Sequence, residues 1–499
     1  MRENIIHYIR AGYAGLYLVS AEEQRVEAEL KSIAEELQFG LYVWSVTTGL
    51  MDVAKSTARQ CNDPLEALLA IKELPEKSIC VLKDLQMFLG NDPNPVLVRQ
   101  FKDALQEGKT KSKTLLVLGC RLALPPELER ELTIIEFALP GKAELGRVLD
   151  GILESAALSP LADPDRDHAL DAASGLTTLE AENAFALSVV EAKGVVPAIV
   201  AREKAQAVKK NGLLEIVHTN ESLESIGGLD VLKAWLLKRK EAFSKRAAQY
   251  GLPAPKGLLI VGIPGTGKSL TAKATAKVFG VPLLKLDAGR IFAGLVGQSE
   301  SNLRSVIQTA EAIAPCCLWI DELEKGFAGS KSSGATDGGT SARVFGSFIS
   351  WMQDKRAPVF IVATANDVSQ LPPELLRKGR LDEMFFVDLP NQAEREAIWT
   401  IQIAKYSRDP KDFDIVQLAR ATDGLTGSEI ENVFIEALYA AFDEENEPTD
   451  LTVARVLTEF VPLSKLMAEQ ITGLRSWAKG RARLATSQPA ERKLRRIAA

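Results

Sequence analysis

The sequence predicts an α/β chain of two tandem modules, each a parallel sheet between helices plus a helical lid, the first degenerate and the second active. Three observations carry that expectation. Apolar strand-like runs alternate with helical patterns through most of the chain. A complete phosphate-loop pattern, Gly262-Ile263-Pro264-Gly265-Thr266-Gly267-Lys268-Ser269, lies between one such strand and one such helix. The front of the chain also echoes the back. Leu124-Pro125-Pro126-Glu127-Leu128 returns as Leu371-Pro372-Pro373-Glu374-Leu375, and Gly175-Leu176-Thr177 returns as Gly424-Leu425-Thr426, at separations of 247 and 249 residues. Matches in order at nearly constant separation point to a duplicated unit.

The expected organisation is a first module over 1–205, a linker over 206–222, an α/β core over 223–390, a helical lid over 391–470 and a basic tail over 471–499. A length of 499 residues accommodates these parts at about 150 residues per domain. Hydrophobic residues at 46% and charged residues at 25% give a soluble globular composition and exclude a disordered, collagenous or rod-like chain. The longest apolar runs fall far short of the roughly 18 residues of a membrane span. The first residues, Met1-Arg2-Glu3-Asn4, lead into no apolar leader. Five cysteines without a C-x-x-C pair, beside three histidines, argue against a disulfide framework and structural zinc. They suit a reducing compartment.

The first module lacks phosphate-binding chemistry at the expected place. After the strand over 15–18 stands Val19-Ser20-Ala21-Glu22-Glu23, with no lysine, no glycine curl and two acids that repel phosphate. Its counterpart of an acid-tipped strand is Cys80-Val81-Leu82-Lys83-Asp84-Leu85, where Asp84 stands without a following glutamate. This module is expected neither to bind nor to hydrolyse nucleotide.

The second module holds the candidate site. Leu258 to Val261 read as a buried strand, and a helix is expected over 268–278. The glycines let backbone N–H groups curl round phosphates at the positive end of that helix. Pro264, Gly265, Thr266, Gly267, Lys268, Ser269 and Leu270 form this contact set. Lys268 is expected to reach the outer phosphates and Ser269 to offer its hydroxyl to Mg2+. The run Cys316–Ile320 ends in Asp321-Glu322, a buried strand delivering two carboxylates at its edge. Asp321 is placed to hold the magnesium shell and Glu322 to polarise the attacking water. Glu324 reads as ordinary surface charge. A further strand over 359–364 runs into Asn366, which can bond the γ-phosphate or the water. Arg377 and Arg380 follow; by themselves they read as a solvated face, and beside a phosphate-handling core as charge stabilisation of phosphoryl transfer, in the same chain or a neighbouring subunit.

These residues together resemble the classical AAA ATPases over about 221–470, so the fold class becomes tandem AAA-type modules. The resemblance makes Gly262–Ser269 the Walker A motif, the segment ending in Asp321-Glu322 the Walker B motif, Asn366 sensor 1, and Arg377 and Arg380 arginine fingers. Ser225-Ile226-Gly227-Gly228-Leu229 resembles the motif that contacts adenine in that family, which puts Ile226 and Gly228 against the base. Gly424 to Glu429 resembles the sensor 2 region, with Gly427 at the helix start nearest the nucleotide. The resemblance implies ATP and Mg2+ as cofactors, ATPase activity, and a homo-oligomeric ring, usually hexameric. It also implies an unidentified protein partner. The whole chain is similar to a narrower family of AAA-domain proteins from cyanobacteria and red-algal plastids. That family implies a cytoplasmic or stromal location, and for it a role in regulating photosynthesis or carbon use has been proposed.

Two features depart from the family pattern. Leu295, in Ala293-Gly294-Leu295-Val296-Gly297, stands where threading relatives place an aromatic pore residue, and offers less grip on an extended chain. The run 329–340 is polar and glycine-rich and is expected as a long loop, with Arg343 after it a candidate for facing a neighbour's nucleotide. The charge balance adds a third open reading. The net charge of -6 divides into about +7 from Arg475 onward and -13 before it. A solvated helix end and frayed terminus is the plain interpretation of that tail; nucleic-acid binding is the weaker one. A slow nucleotide-dependent assembly switch stands as the alternative to partner remodelling.

Overall fold

The computed structural model describes residues 2–90, 93–210, 212–292, 298–327, 338–372, 374–377, 379–487. Leu295, most of the 329–340 run and the last basic residues of the tail lie outside them. The chain divides into two units, Met1–Lys204 and Ala205–Ala499.

In the first unit the strands are β1 (Gly15–Val19), β2 (Gly40–Ser45), β3 (Gly49–Asp52), β4 (Thr57–Arg59), β5 (Ser78–Lys83), β6 (Lys113–Gly119) and β7 (Thr133–Glu136). They form one sheet in the order β4-β3-β2-β5-β6-β1-β7. β3 and β4 are antiparallel; the pairings among the other five are parallel. β5 and β6 are almost wholly buried, as central parallel strands covered on both faces must be. After the sheet, the helices Lys142–Ser155, Asp163–Ala173 and Thr178–Ala192 pack together.

In the second unit the strands are β8 (Leu214–Ile216), β9 (Gly257–Gly262), β10 (Leu283–Leu286), β11 (Cys316–Ile320), β12 (Val359–Ala365), β13 (Glu383–Val387) and β14 (Arg483–Leu484), in the order β14-β13-β9-β12-β11-β10-β8. Five parallel strands of each unit follow one pattern. Numbered along the chain, β1, β2, β5, β6, β7 and β9 to β13 both lie in the order 5-1-4-3-2. Alternate side chains enter two cores. Leu259, Val261, Leu318, Ile320 and Ile361 face one, with Leu258, Ile260, Trp319, Phe360 and Val362 facing the other. The lid helices Gln392–Lys405, Ile415–Ala421, Gly427–Asp443 and Asp450–Glu459 close over a third core of Trp399, Phe434 and Val453.

Three expected segments are structured differently. The stretch 206–222 is more than a connector: β8 within it pairs antiparallel with β10. In the tail 471–499 the described residues, to 487, form more than a helix end. The helix Ala468–Ala478 is followed by β14, which adds to the sheet edge at Phe385 and Phe386. The helix Gly338–Asp354 also begins inside the run expected as loop to 340.

Candidate active site

β9 ends at Gly262 in the middle of the sheet, and the helix Lys268–Phe279 starts six residues later. Between them the chain encloses one wall of a cavity of about 460 Å3. Such a place, at the carboxyl edge of a parallel sheet, is where open α/β folds bind ligands. Gly267 caps the helix at φ +89° and Gly265 stands at φ +78°, both left-handed. At Gly265 a Cβ would lie 2.2 Å from Ser428 Oγ, so the loop and the lid helix meet only because no side chain intervenes.

Lys268 is buried, and its Nζ donates to the carbonyls of Gly262 (2.9 Å) and Ile263 (2.6 Å). Burial pushes its ammonium down to about 8, against the opposing pull of Glu324, Asp321 and Glu322. Ser269 Oγ donates to Asp321 Oδ1 at 3.1 Å, and Thr364 Oγ1 donates to the same oxygen at 2.7 Å. This hydroxyl–carboxylate pair at the loop is an oxygen donor set that fits Mg2+. Glu322 stands at φ +49°, its backbone N–H bonded to Thr364 Oγ1 at 3.0 Å. Asn366 Nδ2 donates to Glu322 Oε1 at 3.1 Å, and Lys325 forms an ion pair with the other oxygen.

Ile226, Pro264 to Leu270, Asp321, Glu322, Asn366 and Gly427 all line the cavity. Gly228 does not; its neighbours Gly227 and Leu229 do. It stands at φ +78° with Glu394 where a Cβ would sit, so its contribution is to let the loop close on that carboxylate. Arg377 and Arg380 are also absent from the lining. Arg377 is exposed, and Arg380 holds a buried Nη1 without a hydrogen-bond partner among the described residues. Arg343 pairs with Glu300 at 3.7 Å.

Glu324 is a correction to the sequence reading. It is buried, and its Oε1 accepts the backbone N–H of Asn366 at 2.9 Å. Burial pushes its carboxyl up from the usual range. The i+2 spacing from Glu322 after a strand was the available signal. Thr364, a polar residue in an otherwise apolar strand, was another. Glu394 gave none: its Oε1 accepts from Leu229 N (3.0 Å) and Thr486 Oγ1 (2.6 Å), contacts set by tertiary structure.

A phosphate-loop sheet of order 5-1-4-3-2 with a helical lid defines a class, the P-loop ATPases of the AAA type. Residues 258–389 match the family described as ATPase family associated with various cellular activities (AAA), and 412–452 match the AAA+ lid domain. Residues 1–137 and 143–211 match the N-terminal and second domains of SpoVK-like AAA ATPases. Proteins named "Uncharacterized AAA domain-containing protein ycf46" are similar over nearly the whole chain. That of Trieres chinensis is 39% identical, covering 97% of this chain and 98% of its own. That of Pyropia yezoensis is 39% identical over 96% and 98%, and that of Guillardia theta 39% over 96% and 95%. The chain belongs to this ycf46 family of AAA proteins. No described helix is long and apolar enough to cross a membrane.

Proposed function

We propose that the second unit is a magnesium-dependent ATPase whose turnover remodels or regulates a protein partner. The observation that carries this reading is the convergence of Lys268, Ser269, Asp321, Glu322 and Asn366 on one cavity under a lid. The loop amides and Lys268 would cradle the phosphates, Lys268 turning from the carbonyls that now hold it. Ser269 and Asp321 would hold Mg2+, which when bound offsets phosphate charge. Glu322, oriented by Asn366, would take the proton of the attacking water. Ile226 and Gly228 would shape the base end and Gly427 the lid contact. Arg377 and Arg380 lie off this cavity, so their part in stabilising phosphoryl transfer requires a neighbouring copy, in a ring that we take to be hexameric. The setting proposed is a cyanobacterial cytoplasm or plastid stroma, with control of photosynthesis or carbon use as the pathway; kinship to the ycf46 proteins supports the setting and says nothing of the pathway.

The test is ATPase rate per subunit against protein concentration, with Glu322→Gln as control. The rate per subunit should climb as copies meet, and the variant should bind ATP without turning it over. A rate independent of concentration would remove the trans-arginine arrangement. The Lys325 ion pair on Glu322 favours a second reading, a slow assembly switch, because it masks the base. In that case turnover stays low at every concentration while ATP still changes the assembly state. Nucleic-acid binding by the tail is weakened, since Arg475 and Arg483 pair with Asp388 and Glu383.

A further inference from the structure

The first unit has its own charges where the second has its phosphate loop. β1 passes through Ser20-Ala21-Glu22 into the helix Glu23–Leu37, as β9 passes through its loop into Lys268–Phe279. The cap residue is Glu22 in one and Gly267 in the other, and the first helical residue is Glu23 in one and Lys268 in the other. Two places along the sheet a left-handed residue marks the turn: Asp84 at φ +57° after β5, Glu322 at φ +49° after β11. Matching these landmarks sets Lys83 opposite Asp321, and corrects the sequence reading, in which Asp84 filled that place. The lysine–acid pair is therefore inverted. Lys83 Nζ bridges Glu23 and Glu27, each at 2.8 Å.

The lid completes the pattern. Thr177 caps Thr178–Ala192 as Thr426 caps Gly427–Asp443, each in a capping box. In the second unit Gly427 and Ser428, at that helix start, line the nucleotide cavity. In the first unit the helix start is already occupied. Glu22 Oε1 accepts from Thr178 N at 2.7 Å and from Thr178 Oγ1 at 2.9 Å. Its Oε2 accepts from Arg25 Nη1 at 2.6 Å. Arg25 in turn donates to both oxygens of Glu144, at 3.1 and 3.0 Å, and to the Ala138 carbonyl at 2.8 Å, and lies 4.6 Å from the centre of the Phe137 ring. Glu22 is only 8% exposed.

We propose that Glu22 is a built-in occupant of the degenerate phosphate position, and that it latches the lid of the first unit to its sheet without nucleotide. A helix N-terminus favours a negative charge, and here the chain provides one covalently. A buried carboxylate with three donors also keeps phosphate out, by charge and by filling the place. The first unit then holds one sheet–lid arrangement throughout any nucleotide cycle and serves as a fixed mount. This does not require the second unit to hydrolyse ATP.

The experiment is hydrogen–deuterium exchange on the full chain. In Glu22→Gln the amides at the start of Thr178–Ala192 and along Lys142–Ser155 should exchange about tenfold faster or more, with β1 and β6 unchanged. In a Lys268→Ala chain, added Mg-ATP should leave those amides as they were. Wild-type protection in Glu22→Gln would overturn the latch, and so would protection by Mg-ATP in the Lys268→Ala chain. If Glu22→Gln fails to fold, Glu22→Asp keeps the charge and withdraws it by one methylene. The same acceleration is expected there, and its absence would be as damaging.

Discussion

Burial pushes Lys268 down to about 8 from an ordinary 10.5, so between these values the unfolded chain binds more protons than the folded one. The cost to the unliganded fold is therefore present in full below about pH 8 and fades as pH rises to 10.5. Lys355, also pushed to about 8 by burial, works in the same direction. Phosphate binding has the opposite demand, because it needs Lys268 charged. ATP affinity should fall as pH rises past about 8, with proton uptake on binding; calorimetry in two buffers of different ionisation enthalpy reads this directly. Equal heats in both buffers just above pH 8 would contradict it. Glu324 acts one step further from the chemistry, holding the backbone of the residue that orients Glu322. Glu324→Ala should lower kcat about tenfold and leave KM within about twofold. A raised KM at unchanged kcat would assign Glu324 to binding instead.

Among elements, the C-terminal segment is the one whose position changes its meaning. Arg475 Nε donates to both oxygens of Asp388 at 2.9 Å, and Thr486 reaches Glu394. Asp388 and Glu394 both line the cavity. Between them β14 extends the sheet, and the Ala485 carbonyl accepts from Val231 and Leu232 N–H, both at 3.1 Å. The segment thus braces from outside the side of the cavity lined by Asp388 and Glu394. Ending the chain after Ala482 should lower the melting temperature of the second unit by a few degrees and weaken ATP binding about tenfold. Ending it after Ser487 should do neither. If the two truncations behave alike, the bracing role fails.

At the scale of the whole molecule, two sheets of one strand order carry opposite electrostatic solutions at the same loop. The second unit leaves a cavity walled by a cation, hydroxyls and carboxylates; the first closes the place with ion pairs of its own. The first unit's lack of a phosphate loop was legible because it shows in residue type: Glu22 and Glu23 stand where glycine and lysine are needed. The latch was not legible. Glu22 and Thr178 are 156 residues apart, and nothing in either neighbourhood announces the contact.

The sequence by itself determined the class of this protein and most of its cavity wall. Phosphate loops and acid-tipped strands are local chemistry: glycine freedom, a helix N-terminus and two carboxylates at a strand end are all written within a few residues. Tertiary structure alone decided that Glu324 is buried beneath Asn366, that Arg377 and Arg380 stand off the cavity of their own chain, and that Arg483 and Leu484 join the sheet. Those outcomes depend on which strands become neighbours. Burial and pairing across 40 to 260 residues are set by the strand order, which no short stretch of sequence carries.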